Sequence, residues 1–450
     1  MMRRRVSIFL SLLACPLPAM AVAMQVPPAP ATAPAPASTV DTNVRHDVVA
    51  KLSDALRDDY IFPDVGEKAA EKITASLAAG EYDSLADPNA FAARLSADVA
   101  AVAHDKHLSI RSMSAPPPPP SAAPQTMPRA DAGIARADKL ADGVGYIEVI
   151  GFPPLAAFKP TVDKAMLALK GSRALIIDNR RNGGGSPDGV AYLVSFLVAP
   201  NHSIEISDIV SRVPKTKDFD RERFGSQPTP VSFANIPVYV LTSKNTFSGG
   251  EEFAYDVQTH KLGKIVGEVT GGGAHPTGPA DLGHGFVASI PFGRTENPIT
   301  KTNWEGRGVQ PDISVPAQDA FKTALTRLGR KPAIDIASAS LKQVFAPRST
   351  PLPGTEAVAR QFIAGLASGN PDYASMTPEF AKFSREKLPM TRQMFLPLGE
   401  LRSTKFERAG MMGGDEYRAS FANGAMIVDL MLDSQGKVAG AMMRPAPAGQ

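Results

Sequence analysis

Residues 237–270 read PVYVLTSKNTFSGGEEFAYDVQTHKLGKIVGEVT, and this stretch decides the fold. Its opening, PVYVLTS, is an apolar run of strand length. A short polar turn follows, GGEEFAYDVQT reads as a helix, and KIVGEVT reads as another strand. Outward from it the same alternation continues. GVGYIEV (143–149) and ALIIDNR (174–180) read as strands, with helices predicted at FKPTVDKAMLAL (158–169) and GVAYLVSFLV (189–198). The continuous apolar run in ALIIDNR suits a strand buried on both faces, so the pattern predicts an α/β core around a parallel sheet. GHGFVASIPFGRT (283–295) reads as a hairpin after it.

Further out the chain divides. Val48, Val49, Leu52, Leu56 and Tyr60 repeat at helical spacing, a second helix is expected over about 67–77, and DPNAFAARLSADVAAVA (87–103) opens on an Asp-Pro start signal. Residues 44–111 therefore read as a helical subdomain, 112–140 as a proline-rich connector, 141–330 as the core and 331–355 as a linker. Residues 356–450 read as a small α+β domain, one helix followed by several antiparallel strands.

The first 23 residues read as a signal peptide: three arginines, a short apolar run from Val6 to Ala14, and Ala21-Val22-Ala23 for cleavage. Cys15, in LLAC, offers the alternative of a lipid anchor. Residues 24–43 read as a Pro/Ala-rich linker. The expected location is periplasmic or secreted. The formal net charge is +3, and removing the three signal arginines leaves 45 basic against 45 acidic residues, so no nucleic-acid partner is expected. No later segment has the apolar length of a membrane span. Cys15 is the sole cysteine, so the mature chain has neither a disulfide nor a thiol nucleophile.

Four segments carry candidate chemistry. Ser248 sits where a strand-to-turn connection becomes a helix. The free N–H groups and positive dipole end there suit an oxyanion, although the same spacing fits a plain N-cap with Glu251 completing a capping box. In IIDNRRNGGG (176–185), Asp178 ends a strand and three glycines offer close-approach backbone amides; the Lys-Ser/Thr ending of a phosphate loop is missing. HDKHLSI (104–110) supplies His104 and His107, either a general base or a surface residue, and nothing completes a metal set. Glu305, in NWEGRGVQPDISV (303–315), is either a carboxylate that orients a histidine or a solvated loop acid.

Taken together and in this order, these segments resemble the tail-specific, or C-terminal processing, serine peptidases, a family that includes the tricorn protease core and the interphotoreceptor retinoid-binding protein repeats. DNRRNGGG (178–185) is similar to the family's Asp-x-Arg-x-Asn-Gly-Gly-Gly loop. TSKNTFSGGEEFA resembles its nucleophile segment, and VGEVTGGG and GRGVQPDISV resemble the two blocks that follow. The resemblance covers roughly residues 44–325. It implies a crotonase/Clp-protease-like peptidase core, Ser248 as nucleophile, and an oxyanion hole from the N–H groups of Gly249 and the Gly183–Gly184 turn. Gly273 stands where some members carry the lysine of a Ser–Lys dyad, so the tricorn-like Ser–His–Glu set is implied: His107 as base and Glu305 behind it. Lys106 departs from the serine of the tricorn core, which leaves His104 against His107 open. The connector is too short for the PDZ domain many relatives carry. Protein or peptide substrates are implied, with no cofactor and no metal. The alternative on the same fold is a non-catalytic binding protein for hydrophobic ligands or peptides. A crotonase-type acyl-CoA enzyme is disfavoured by export. Residues 356–450 resemble small nuclear-transport-factor-like domains, implying an accessory module or a homo-oligomer contact.

Overall fold

Asp41 and Asp87 start the architecture. Their carboxylates accept the Val44 and Ala90 N–H groups (2.9 and 2.7 Å), satisfying donors that a helix start leaves free. The helices are α1 (Thr42–Asp59), α2 (Pro63–Ala78) and α3 (Pro88–Ala103). The computed structural model describes residues 39–446 apart from 114–128, 141, 334, 337, 340, 411–412 and 434. The signal segment, Cys15, most of the 24–43 linker and the proline run lie outside the described residues.

The three helices close their core on strands. Leu52, Leu56, Ile73, Phe91 and Leu95 pack with Ile110 of β1 (Ser109–Ser112) and with Phe286 and Ile290. Each such burial contributes about 1.5–3 kcal/mol. This attachment carries the chain from α3 across to the core.

The core is a seven-stranded sheet in the order β12-β8-β7-β4-β3-β2-β13. Its members are β2 (Ile134–Leu140), β3 (Val144–Val149), β4 (Ala174–Asp178), β7 (Val238–Thr242), β8 (Lys264–Gly267), β12 (Ile313–Ser314) and β13 (Leu341–Phe345). From β3 through β4, β7 and β8 to β12 the pairing is parallel; β2 and β13 are antiparallel. Successive side chains of β4 enter opposite cores. Leu175 and Ile177 face the layer of α4 (Leu155–Ala168), α5 (Pro187–Ser195) and α6 (Gly249–Thr259), whereas Ala174 and Ile176 face α7 (Ala320–Arg327). Between α5 and β7 the chain inserts β5 (Glu205–Arg212) and β6 (Phe219–Gly225), and β5 pairs on its other side with β11 (Gly293–Glu296). The hairpin expected at 283–295 is displaced toward the N-terminus: its strands are β9 (Thr277–Gly283) and β10 (Phe286–Pro291), extended by β1, while residues 293–296 join the other sheet as β11.

Two boundaries are corrected. Residues 134–140 of the expected connector are strand β2, and residues 341–345 of the expected linker are strand β13. IARADKL and LKQVF carry charges that mask a strand. Asp138 is fully buried, yet its charge is met by Arg136 at 2.7 Å. The expected parallel sheet is parallel through its centre and mixed at the β2–β13 edge.

Beyond the core, α8 (Thr355–Ser368) and α9 (Pro378–Phe395) pack on an antiparallel meander of β14 (Leu401–Ala409), β15 (Asp415–Phe421), β16 (Gly424–Leu432) and β17 (Val438–Pro445). Arg348 ties this unit to the core, reaching Asp131 (2.9 Å) and Asp415 (2.8 Å). No helix of the described residues is long and apolar enough to cross a membrane.

Candidate active site

β7 delivers the chain to Thr242, and a six-residue turn ends at Ser248, the N-cap of α6. Ser248 has φ 53° and ψ −124°, in the region side-chain-bearing residues avoid. Its neighbours hold it there. The Ser248 N–H donates to Glu251 Oε2 (2.9 Å), and the buried Glu251 carboxylate also accepts from Thr270 Oγ1 (2.5 Å), Gly272 N–H (2.5 Å) and Gly273 N–H (2.8 Å). Burial pushes this carboxyl up, against the pull of those donors. Glu251 thus caps the helix and also ties the Ser248 turn to the 270–273 segment.

The glycine loop lies directly beneath. A Cβ on Gly184 would stand 2.7 Å from Ser248 Cβ and 2.8 Å from Gly249 N, and one on Gly249 would meet Gly185 N at 3.1 Å. Asn179 and Asn182, which sequence reasoning passed over, hold this contact. Asn179 Nδ2 donates to Gly250 O (2.7 Å) and Asn182 O accepts the Phe247 N–H (2.9 Å). The expected oxyanion hole is corrected in part. Gly184 N–H donates to Asn182 Oδ1 (2.8 Å) and Gly183 N–H to Ile150 O (3.4 Å), so both expected amides are engaged, whereas Gly249 N–H stands at the open helix end.

α3 ends at His104, a left-handed cap with φ 53° and an exposed side chain. Three residues on, His107 enters the site. Its ring lies 4.6 Å from that of Phe247, the residue preceding Ser248. A Cβ on Gly273 would meet His107 Cε1 at 2.5 Å and Phe247 Cζ at 2.4 Å. The imidazole therefore fills the space a side chain at 273 would need, which gives the glycine there a steric reason. Burial holds the His107 imidazole below its ordinary value; the Asp105 carboxylate opposes this and His275 reinforces it.

Glu305 requires a correction. It does not reach the His107 ring, whose Nδ1 is buried without a hydrogen-bond partner. Its carboxylate accepts the N–H groups of Lys106 (3.3 Å) and Ala274 (2.5 Å) and lies 3.7 Å from His275 Nδ1. Burial pushes it up from the usual carboxylate range. Asp105 and His275, both missed by the sequence reading, meet at 2.6 Å. Asp105, Glu305 and His275 are close enough to surround a cation, and their oxygens already accept from Tyr60 Oη and three backbone amides, so the three form one hydrogen-bonded cluster.

Beside Gly184 and Gly185 lies an apolar cleft of about 230 Å³, lined by Gly151, Phe152, Pro153, Pro154 and Ser186. Gly185 and Phe152 pair there as a parallel bridge.

Residues 143–315 match the model for peptidase family S41, and residues 41–141 match that for the N-terminal domain of peptidase family S41 in eukaryotic IRBP. Among solved structures, a protein from Parabacteroides merdae ATCC 43184, named a peptidase by inference, is 19% identical; the match covers 65% of this chain and 95% of that one, at TM-score 0.47. The photosystem II D1 C-terminal processing protease is 19% identical over 46% of this chain and 49% of its own, at TM-score 0.33. Tricorn protease is 23% identical over 43% of this chain and 17% of its own, at TM-score 0.27. Matched by two models of one family over most of residues 41–315, the chain belongs to peptidase family S41.

Proposed function

We propose that the protein is an exported serine endopeptidase in which Ser248 attacks the peptide carbonyl and His107 accepts its proton. The observation that carries this reading is the meeting of two distant segments: a strained serine at a helix mouth, and a half-buried imidazole packed against the residue beside it. Burial favours the neutral imidazole, the form a general base needs before it takes a proton. The Gly249 amide and the positive end of α6 stabilise the charge that develops on the carbonyl oxygen, with the 183–185 backbone forming the opposite wall. The Lys106 ammonium is committed to Gly271 O (2.5 Å), and residue 273 carries no side chain, so neither supports a lysine base.

The apolar cleft next to Gly184 and Gly185 supports substrates with a small or medium apolar side chain at the cleavage point. Export rests on the N-terminal sequence, and a role for residues 356–450 as an accessory or self-association module rests on their helix-and-strand pattern. Fluorophosphonate labelling of the wild type, with peptide hydrolysis by Ser248→Ala, tests the mechanism. Labelling at Ser248 and loss of about 10³-fold or more in kcat are expected. An unlabelled wild type that hydrolyses no peptide would leave a binding protein for apolar ligands or peptides as the better account, and unaltered hydrolysis by Ser248→Ala would reject Ser248 as the nucleophile.

A further inference from the structure

Two buried titratable side chains in the site belong to neither the nucleophile nor the base. Asp105 and His275 are 4% and 5% exposed, come from segments 170 positions apart, and share a hydrogen bond of 2.6 Å. Asp105 Oδ1 accepts the His107 N–H (2.9 Å), and its Oδ2 accepts Tyr60 Oη (3.2 Å) besides His275. His275 lies two residues beyond Gly273, whose bare Cα forms the wall against which the His107 ring rests. Glu305 braces the same two segments through their amides, Lys106 N–H on one and Ala274 N–H on the other.

We propose that Asp105 and His275 are a positioning pair, which clamps the loop carrying His107 onto the Gly273 wall and sets the charge field around that imidazole. The proposal rests on the serine peptidase reading above. In it the third member of the site acts on the loop's backbone rather than on the ring, consistent with the unpartnered His107 Nδ1. The pair is stable because its members compensate each other. Burial works against the Asp105 charge, yet the His275 hydrogen bond and charge, with the His107 amide, hold that carboxyl below its usual range. The charged and titratable groups around His107 are Asp105 and Lys106 on its own loop, Tyr60 at the end of α1, Glu251 on α6, and His275 and Glu305 across the slot. Asp105 and His275 act on the imidazole with opposite sign.

That opposition gives a test a merely structural role would not pass. Asp105→Asn and His275→Gln are made in the full chain, and kcat and KM for a fluorogenic peptide are measured across pH. Activity of a general base is lost as pH falls through its pKa. Removing the Asp105 carboxylate moves that acid limb to lower pH, and removing the His275 imidazole moves it to higher pH. Both variants lose about tenfold or more in kcat, with KM within about twofold. Limbs that stay put, or that move the same way, overturn the proposal. Should either variant lose its near-ultraviolet dichroism, Asp105→Glu decides. It keeps the charge, so the limb holds its place and kcat exceeds that of Asp105→Asn; a displaced limb overturns the pair. Fluorophosphonate labelling separates the two levels. An unlabelled wild type retires the peptidase reading and the pair with it, whereas a labelled, active wild type without opposed limb shifts retires the pair alone.

Discussion

Ser248 and His107 are held by opposite means. The serine is fixed mainly by backbone, with Glu251 the one carboxylate that braces it: β7 brings it in, the glycine loop presses against it, and Asn179 and Asn182 close the turn through main-chain groups. The histidine hangs at the end of α3, and its loop is fastened by charges, Asp105 to His275 and Glu305 to two amides. Backbone contacts are insensitive to pH and intolerant of added volume. A buried charge cluster tolerates little change in protonation, because each charge depends on its partner for the solvation it lost. The two halves should therefore fail under different insults.

The serine half breaks by steric insult at Gly184. A methyl there collides with Ser248 Cβ and Gly249 N, on a backbone with φ 105° that side chains resist. Gly184→Ala is expected to lower kcat/KM by about 10³-fold or more, the scale of a lost oxyanion contact plus a displaced nucleophile, with a lower Tm in a thermal melt. The slot between the halves breaks at Gly273, where the methyl meets His107 and Phe247 rather than main chain. Gly273→Ala is expected to lower kcat about 10²-fold through a displaced imidazole. Its far-ultraviolet dichroism should remain that of the wild type. Equal kcat in wild type and Gly273→Ala would place the base elsewhere.

The same division explains what was legible in the sequence. The strand–turn–helix at 238–259 and the Gly183–Gly185 loop are local patterns, so Ser248 and its neighbours could be located from the chain alone. Strands such as β2, β13, β5 and β6 escaped because they carry charges or polar runs whose burial depends on cross-strand and distant partners; Arg221, for example, meets Asp208 across the β5–β6 pair and Glu296 75 positions on. Asp105 and His275 gave no local signal at all, since their pairing spans 170 positions and is decided by how α1–α3 dock on β9 and β10. Glu305 was found but given the wrong contact. Its spacing after Trp304 shows a carboxylate near the site without showing that it faces amides rather than the ring.

That contact supplies the mildest and most discriminating test of the comparison. Where a carboxylate orients a catalytic imidazole, converting it to the amide costs about 10⁴-fold in kcat, because the wrong tautomer is held. Here the carboxylate accepts two backbone N–H groups and touches neither nitrogen of His107. Glu305→Gln keeps one carbonyl oxygen for Ala274 and presents an amide to Lys106, weakening one brace of the histidine loop while leaving the tautomer to the site itself. The expected loss in kcat is under about tenfold, within the cost of one exchanged hydrogen bond to a charged acceptor. A loss approaching 10⁴-fold in steady-state assays would mean that Glu305 swings onto His107 when substrate binds, and the two halves of the site would then share a charge relay that the free enzyme keeps apart.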